Sequence, residues 1–317
     1  MAKEKNSIVK LPSRAVEMRK DLALKIASHI RADGKDETVV PGLSLYRKSS
    51  PTECNSAAYE PVLIVFVQGE KRINLGGTTL VCNESTFLLT SVDMPVISQV
   101  TKASPEEPIL AMVLKLEMPT VREILSQEEF HESQAVSGTR GMAVGKTTVE
   151  LLDACSRLLD LLDAPTDISF LSNLIQREII YRLLRGPRGE SLRAIATLGE
   201  QSNRTAKAVA WLRENYAKPL RVEDLASVAQ MGVSTLHHHF RSLTAMSPLQ
   251  YQKQLRLHTA RVRMLTDGMD AASAAFEVGY ESPSQFSREY SRFFGQPPMR
   301  DIKARLLSGA ENERDAA

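Results

Sequence analysis

At 317 residues the chain is long enough for two ordinary domains. Hydrophobic and charged fractions of 43% and 25% are those of a folded protein with real cores, which excludes a disordered or collagen-like chain. The net charge of +2 is unevenly spread, because Asn203 to Leu306 hold 15 Lys/Arg against 9 Asp/Glu and leave the remainder mildly acidic. A basic segment joined to an acidic one is the asymmetry expected when only one part meets phosphate. Cys54, Cys82 and Cys155 are odd in number and form no CxxC pair, so a reducing compartment is expected and a disulfide framework is not. The N-terminus has no apolar signal core, and no stretch approaches the roughly 18 apolar residues of a spanning helix. A cytoplasmic location with no membrane partner is therefore expected.

In chain order, Ser13 to Arg31 predicts a helix, with Val16, Arg19 and Lys20, Ala23, Ile26 and Ile30 recurring at three- and four-residue steps and Gly34 closing it. Val62 to Val67 is a continuous apolar, β-branched run and predicts a buried strand. Arg72 to Leu75 and Thr78 to Val81 flank Gly76-Gly77, a two-residue hairpin signal. Thr86 to Thr90, Val96 to Val100 and Ile109 to Leu116 predict further strands, and prolines mark the connections. Several short strands with regular turns suggest a small barrel or sandwich. After Pro119 two apolar stripes predict helices: Leu151, Cys155, Leu158, Leu159 and Leu162, then Leu171, Ile175, Ile179 and Leu183. Each stripe suits either packing on the strands or pairing with a second copy. Gly186-Pro187-Arg188-Gly189 breaks the pattern, and the stretch from there to about Asn203 suits a linker with one short helix.

The segment from Arg204 carries the strongest pattern. Val222 to Gln230 is helical, with Glu223 and Asp224 in the first turn, where acids suit the helix dipole. It turns Leu225, Ala226 and Ala229 inward. After a tight break at Met231-Gly232, a second helix carries Leu236, Phe240 and Leu243 on its apolar face. Two short helices joined this way make a helix-turn-helix. Fifty residues on the layout repeats, with Ala275, Phe276 and Gly279 in place of Leu225, Ala226 and Ala229, and Phe286, Tyr290 and Phe293 in place of Leu236, Phe240 and Leu243. Ser282 and Pro283 start the last helix, and Gly295 with Pro297-Pro298 ends it. Between the units, Pro248 to Thr266 predicts one helix about 29 Å long at ~1.5 Å per residue. Successive major-groove entries on one face of B-DNA lie about 34 Å apart, so this spacer suits two helices reading adjacent grooves from one chain.

Base edges are read from the N-terminal part of such helices. Ser234, His237 and His238 on the first, and Pro283, Ser284, Gln285 and Arg288 on the second, are therefore assigned to bases. Arg pairs with guanine and Gln with adenine in bidentate fashion, while Pro283 offers only apolar contact. Arg241 and Arg292 lie later and are assigned to phosphates. His237, His238 and His239 point about 100° apart along a helix and cannot close on one metal ion, so neither a metal nor any cofactor is expected.

At these residues the chain resembles the AraC/XylS family of bacterial regulators. The resemblance rests on GYESPSQFSREYSRFFG (Gly279 to Gly295) with Pro297-Pro298, and on LASVAQMGVSTLHHHF (Leu225 to Phe240). Gly232 stands where the family usually has Ser or a similar cap, and glycine is tolerated there. Tyr59-Glu60-Pro61, Gln68-Gly69-Glu70-Lys71, Ser91 to Val96 and Ala103 to Glu106 resemble the companion domain of one AraC-type subgroup. The resemblance implies an α+β two-domain chain: an N-terminal cupin-like β-barrel with flanking helices and a C-terminal all-α domain with two helix-turn-helix units. It implies an effector-sensing and dimerisation domain over 1–190 (barrel about 40–117, helices about 147–185), a linker over 191–202 and a DNA-binding domain over 203–308.

The implied function is a sequence-specific transcription regulator whose partners are double-stranded operator DNA, a small-molecule effector and a second copy of the chain. Gln68, Arg72 and Ser98 are polar strand residues that suit either a pocket or the outer face. One alternative is an N-terminal domain that only dimerises or binds a protein such as RNA polymerase. Another is a redox or electrophile sensor acting through Cys54, near Arg47 and Lys48, or through Cys82. An enzyme is not expected: His29 and His131 are the only histidines before residue 237, so no His-x-His metal pair exists, and no phosphate loop or nucleophile motif is present.

Overall fold

The structure, a computed structural model, describes residues 13–75, 78–127, 140–197 and 201–314. Gly76-Gly77 and His131 lie outside the described residues. The chain opens with α1 (Arg14–His29), followed by β1 (Gly34–Glu37), β2 (Leu43–Lys48), β3 (Asn55–Tyr59), β4 (Val62–Gln68) and β5 (Glu70–Leu75). β6 (Thr78–Asn83), β7 (Thr86–Thr90), β8 (Met94–Lys102), β9 (Ile109–Lys115), α2 (Met118–Gln127) and β10 (Met142–Lys146) come next. Three helices complete this half: α3 (Val149–Asp160), α4 (Ile168–Arg185) and α5 (Glu190–Ala196).

The strands form two antiparallel sheets, ordered β1-β2-β9-β4-β7-β10 and β3-β8-β5-β6. They stack as an open pair, and the hydrogen-bond ladder does not close into a single barrel. The apolar run of β4 has a direct cause: Leu63, Val65 and Val67 face the helices, while Val62, Ile64 and Phe66 face the second sheet. A strand buried on both sides cannot alternate apolar with polar. Outside the larger sheet, Leu22 and Ile26 of α1, Leu152 and Cys155 of α3, and Ile179 of α4 complete one core. Both predicted stripes therefore pack chiefly within the chain. Phe170 and Leu174 of α4 remain exposed, at 72% and 51%.

The second half is helical: α6 (Gln201–Glu214), α7 (Val222–Ala229), α8 (Val233–Thr244), α9 (Pro248–Thr266), α10 (Ala271–Glu277), α11 (Pro283–Phe294) and α12 (Pro298–Arg314). The inter-sheet core runs on into the first unit through Leu212, Leu225, Leu236, Phe240 and Tyr251. Polar contacts seal the seam. Tyr251 donates its hydroxyl to the Asp93 carbonyl at 2.7 Å, and Arg213 clasps Glu60 and Asp93. Residues 190–196, within the expected linker and its edge, form α5, which buries Leu192, Ile195 and Ala196.

The second unit has its own core of Leu257, Ala260, Met264, Ala275, Val278, Phe286 and Tyr290. The repeat is less regular than an offset of fifty. The left-handed residues after the first helix of each unit, Gln230 (φ 53°) and Gly279 (φ 89°), are 49 positions apart. The N-caps Gly232 and Ser282 are 50 apart, so the second turn is one residue longer. This slip corrects the inward assignment of Phe276, which is 57% exposed while Ala274, Ala275 and Val278 are buried.

Candidate nucleic-acid interface

Helix α8 buries Leu236, Phe240 and Leu243 and leaves Ser234, His237, His238 and Arg241 exposed. Its N-cap, Gly232, has no side chain to bond the first turn. Helix α11 is better anchored: the Ser282 hydroxyl accepts from the Gln285 backbone N–H at 3.3 Å, and Pro283 occupies the first turn. It buries Phe286 and Tyr290, exposes Ser284, Gln285, Arg288 and Arg292, and leaves Pro283 half-buried. Arg241, Arg288 and Arg292 enter no ion pair among the described residues. A free, exposed cation on a recognition helix is available to a phosphate or a guanine edge. Half-buried His239 stacks edge-on against His238 with ring centroids 5.3 Å apart, and burial lowers its pKa.

Gln285 differs from the others, because its amide donates to Glu289 at 3.4 Å. Glu289 also accepts from the Tyr280 hydroxyl at 2.9 Å and pairs with Lys253 of α9 at 3.1 Å. Burial alone would raise the Glu289 carboxyl, but these donors outweigh it and hold its pKa below the usual range. The Gln285 amide is thus already engaged within its own helix.

Two arginines of α9, Arg256 and Arg261, have structural roles that the sequence pattern did not reveal. Arg256 donates to the carbonyls of Tyr216, Ala217, Lys218 and Gly279, tying the loop before α7 to the second unit's turn. Arg261 makes a bidentate pair with buried Asp301, both bonds 2.7 Å, and stacks over Phe294 at 4.2 Å. Arg263 pairs with Asp267 at 2.9 Å, an i,i+4 spacing legible in sequence. The partners of Arg256 and Arg261 are 23 or more residues away and leave no local signal.

In the β-domain, Ser98 is buried on the inner face, Gln68 donates to the Pro108 carbonyl at 2.7 Å, and Arg72 lies in the open near Glu70. Sequence reasoning missed Lys71, whose ammonium reaches between the sheets to the rings of Tyr46 and Tyr59, at 5.0 and 5.7 Å. Burial pushes the Cys82 thiol up to about 12, which removes the thiolate a sensor needs. Cys54 is exposed, but Arg47 and Lys48 pair with Asp33, at 2.8 and 3.0 Å.

No helix among the described residues is long and apolar enough to cross a membrane, and none of their His, Cys, Asp and Glu side chains cluster to hold a metal ion.

Residues 39–191 match the family described as the N-terminus of AraC-type transcriptional regulators, and residues 225–303 match a helix-turn-helix domain family. The transcriptional activator RhaS of Yersinia pestis is 29% identical over 107 residues, which is 34% of this chain and 39% of RhaS. The chain thus spans well under half the length of the curated relatives it matches. An apo ToxT variant from Vibrio cholerae shares the two-domain fold at 9% identity with a TM-score of 0.54, covering 85% of this chain and 98% of ToxT. Wild-type ToxT with an unsaturated fatty acid bound has a TM-score of 0.51 at 10% identity, over 82% of this chain and 94% of its own.

Proposed function

Because the chain belongs to the AraC/XylS family of DNA-binding transcription regulators, and is thus no enzyme, we propose that it reads an operator through α8 and α11 in successive major grooves. The observation that carries this is the split on each helix: aromatic and aliphatic residues are buried and polar groups exposed, with Arg241, Arg288 and Arg292 in no ion pair among the described residues. Ser234, His237, His238, Pro283, Ser284, Gln285 and Arg288 contact bases, and Arg241 and Arg292 hold phosphates. Arg288→Ala is expected to cost about 1–3 kcal/mol and relax preference at one base position, whereas Arg292→Ala weakens binding to every sequence alike. Binding titrations on a set of single-base operator variants separate the two. A uniform loss from Arg288→Ala contradicts the assignment.

Residues 1–190 form the sensing and dimerising domain, 191–202 join it through part of α5, and 203–308 bind DNA in the cytoplasm. The effector binds between the sheets, where Lys71, Tyr46, Tyr59 and Ser98 place polar groups within an otherwise apolar core. A ToxT structure of the same fold holding an unsaturated fatty acid supports this reading. The exposed apolar face of α4, with Phe170 and Leu174, supports a homodimer, and RNA polymerase is the further partner of a DNA-bound regulator. A metabolite panel followed by thermal melting tests the effector: a native-state ligand at a hundred times its Kd adds about 2.7 kcal/mol. A Lys71→Met variant that keeps the full shift excludes this site.

A further inference from the structure

A groove of about 890 Å³ lies between the two units, walled by Arg241 and Ser242 of α8, Gln250 and Lys253 of α9, Phe293 of α11 and Arg140 of the N-terminal domain. It shares Arg241 and Ser242 with a second groove of about 630 Å³ that His237 and His238 wall. The base-reading face of α8 is therefore continuous with the space beside α9. A helix in a major groove is bordered by phosphodiester strands, so a strand passing Arg241 runs on toward Arg140 and Lys253.

Arg140 is held in place by its backbone. Its carbonyl accepts from the Ser191 hydroxyl at 2.7 Å, and the next N–H, of Gly141, donates to the Leu243 carbonyl at 2.8 Å on the last turn of α8. A Cβ on Gly141 would lie 2.6 Å from a Val92 methyl, so only glycine permits this approach. The guanidinium donates to the Thr78 hydroxyl at 3.1 Å, is exposed, and makes no ion pair among the described residues. Lys253 has Glu289 as its partner at 3.1 Å. Among the described residues, Arg140 and Arg241 are thus two cations without an ion-pair partner on one groove, supplied by different domains.

We propose that Arg140 is a DNA-backbone contact contributed by the N-terminal domain, acting with Arg241 and Lys253 on the strand that crosses the connecting helix. The proposal rests on the assignment of α8 and α11 to DNA reading. It makes the docked arrangement of the two halves part of the binding surface, so a shift of the N-terminal domain would alter affinity without touching a base contact.

The test uses the full chain and a fluorescent 30-base-pair duplex of random sequence, titrated by anisotropy at several salt concentrations. Each phosphate contact contributes about 0.9 to the slope of log K against log salt. Arg140→Ala is expected to lower the slope by about 0.9 and weaken binding roughly eightfold at 0.1 M salt. Arg140→Lys is expected to keep the slope, and the melting temperature of both variants should stay at the wild-type value. An unchanged slope, or tighter binding by Arg140→Ala, overturns the proposal. Absence of any salt-dependent binding by the wild-type chain would instead sink the DNA-reading assignment itself.

Discussion

Asp301→Ala is expected to destabilise the second helix-turn-helix unit by about 3–5 kcal/mol, because it strands a buried guanidinium. Arg261 is 5% exposed and gives both its bonds to Asp301, which also accepts from the Tyr290 hydroxyl at 2.7 Å and from Arg305 at 3.1 Å. This network ties α9, α11 and α12 together, so its loss removes the support behind Arg288 and Arg292. Urea unfolding should show an early transition in the variant, with DNA binding lost alongside it. An unfolding free energy within about 1 kcal/mol of wild type would mean that water replaces the carboxylate.

The same network makes the unit acid-labile. Burial would raise the Asp301 carboxyl, but Arg261 and Tyr290 outweigh it and depress the folded-state pKa. Its contribution is present above the unfolded carboxyl value, about 3.9, and is lost as pH falls through that value toward the folded one. Nearby His258 is pushed down to about 3 by burial and then by the Arg261 charge. The unfolded chain accepts a proton on this histidine near pH 6.5 that the native one refuses, so stability declines from about pH 6.5 downward. Histidine acts first and aspartate later, and melting temperature against pH should fall in that order.

Gly279→Ala is expected to cost about 2–5 kcal/mol, the sum of left-handed backbone strain and overpacking. Gly279 has φ 89°, and an added Cβ would lie 2.0 Å from the Ala217 carbonyl oxygen. That carbonyl also accepts from Arg256, whose guanidinium bonds the Gly279 carbonyl at 2.9 Å. The substitution therefore forces apart the contact that fixes one unit against the other. Thermal unfolding of the full chain measures it, and a Tm unchanged by the alanine would show that the turn yields.

These two sites show how much of the fold was legible in the sequence. Gly279 stood out as a small residue in a repeated motif, yet its role differs from the one inferred. The spacing placed it opposite Ala229 inside a helix, whereas it is the turn residue opposite Gln230. A one-residue difference in turn length hides behind an otherwise regular repeat, and burial reveals it through exposed Phe276. The spacer α9 was legible residue for residue, Pro248 to Thr266, because Ser247 caps it with Gln250 in a capping box. The buried and exposed faces of α8 were equally legible, since a 3.6-residue period separates Leu236 and Phe240 from His237 and Arg241. What stayed hidden was long-range: the partners of Arg256 and Arg261, the reach of Lys71 between sheets, and the approach of Arg140 to α8. No local pattern encodes these, because each joins elements far apart in the chain.

The proposed operator reading requires that α8 and α11 engage adjacent major grooves. Hydroxyl-radical footprinting of the full chain on a sequence selected from random duplex tests this most directly. The predicted result is two protected segments on one face of the helix, about 10 base pairs apart for each chain bound, with Arg288→Ala clearing only one of them. A single protected segment per chain, unaffected by Arg288→Ala, would contradict it.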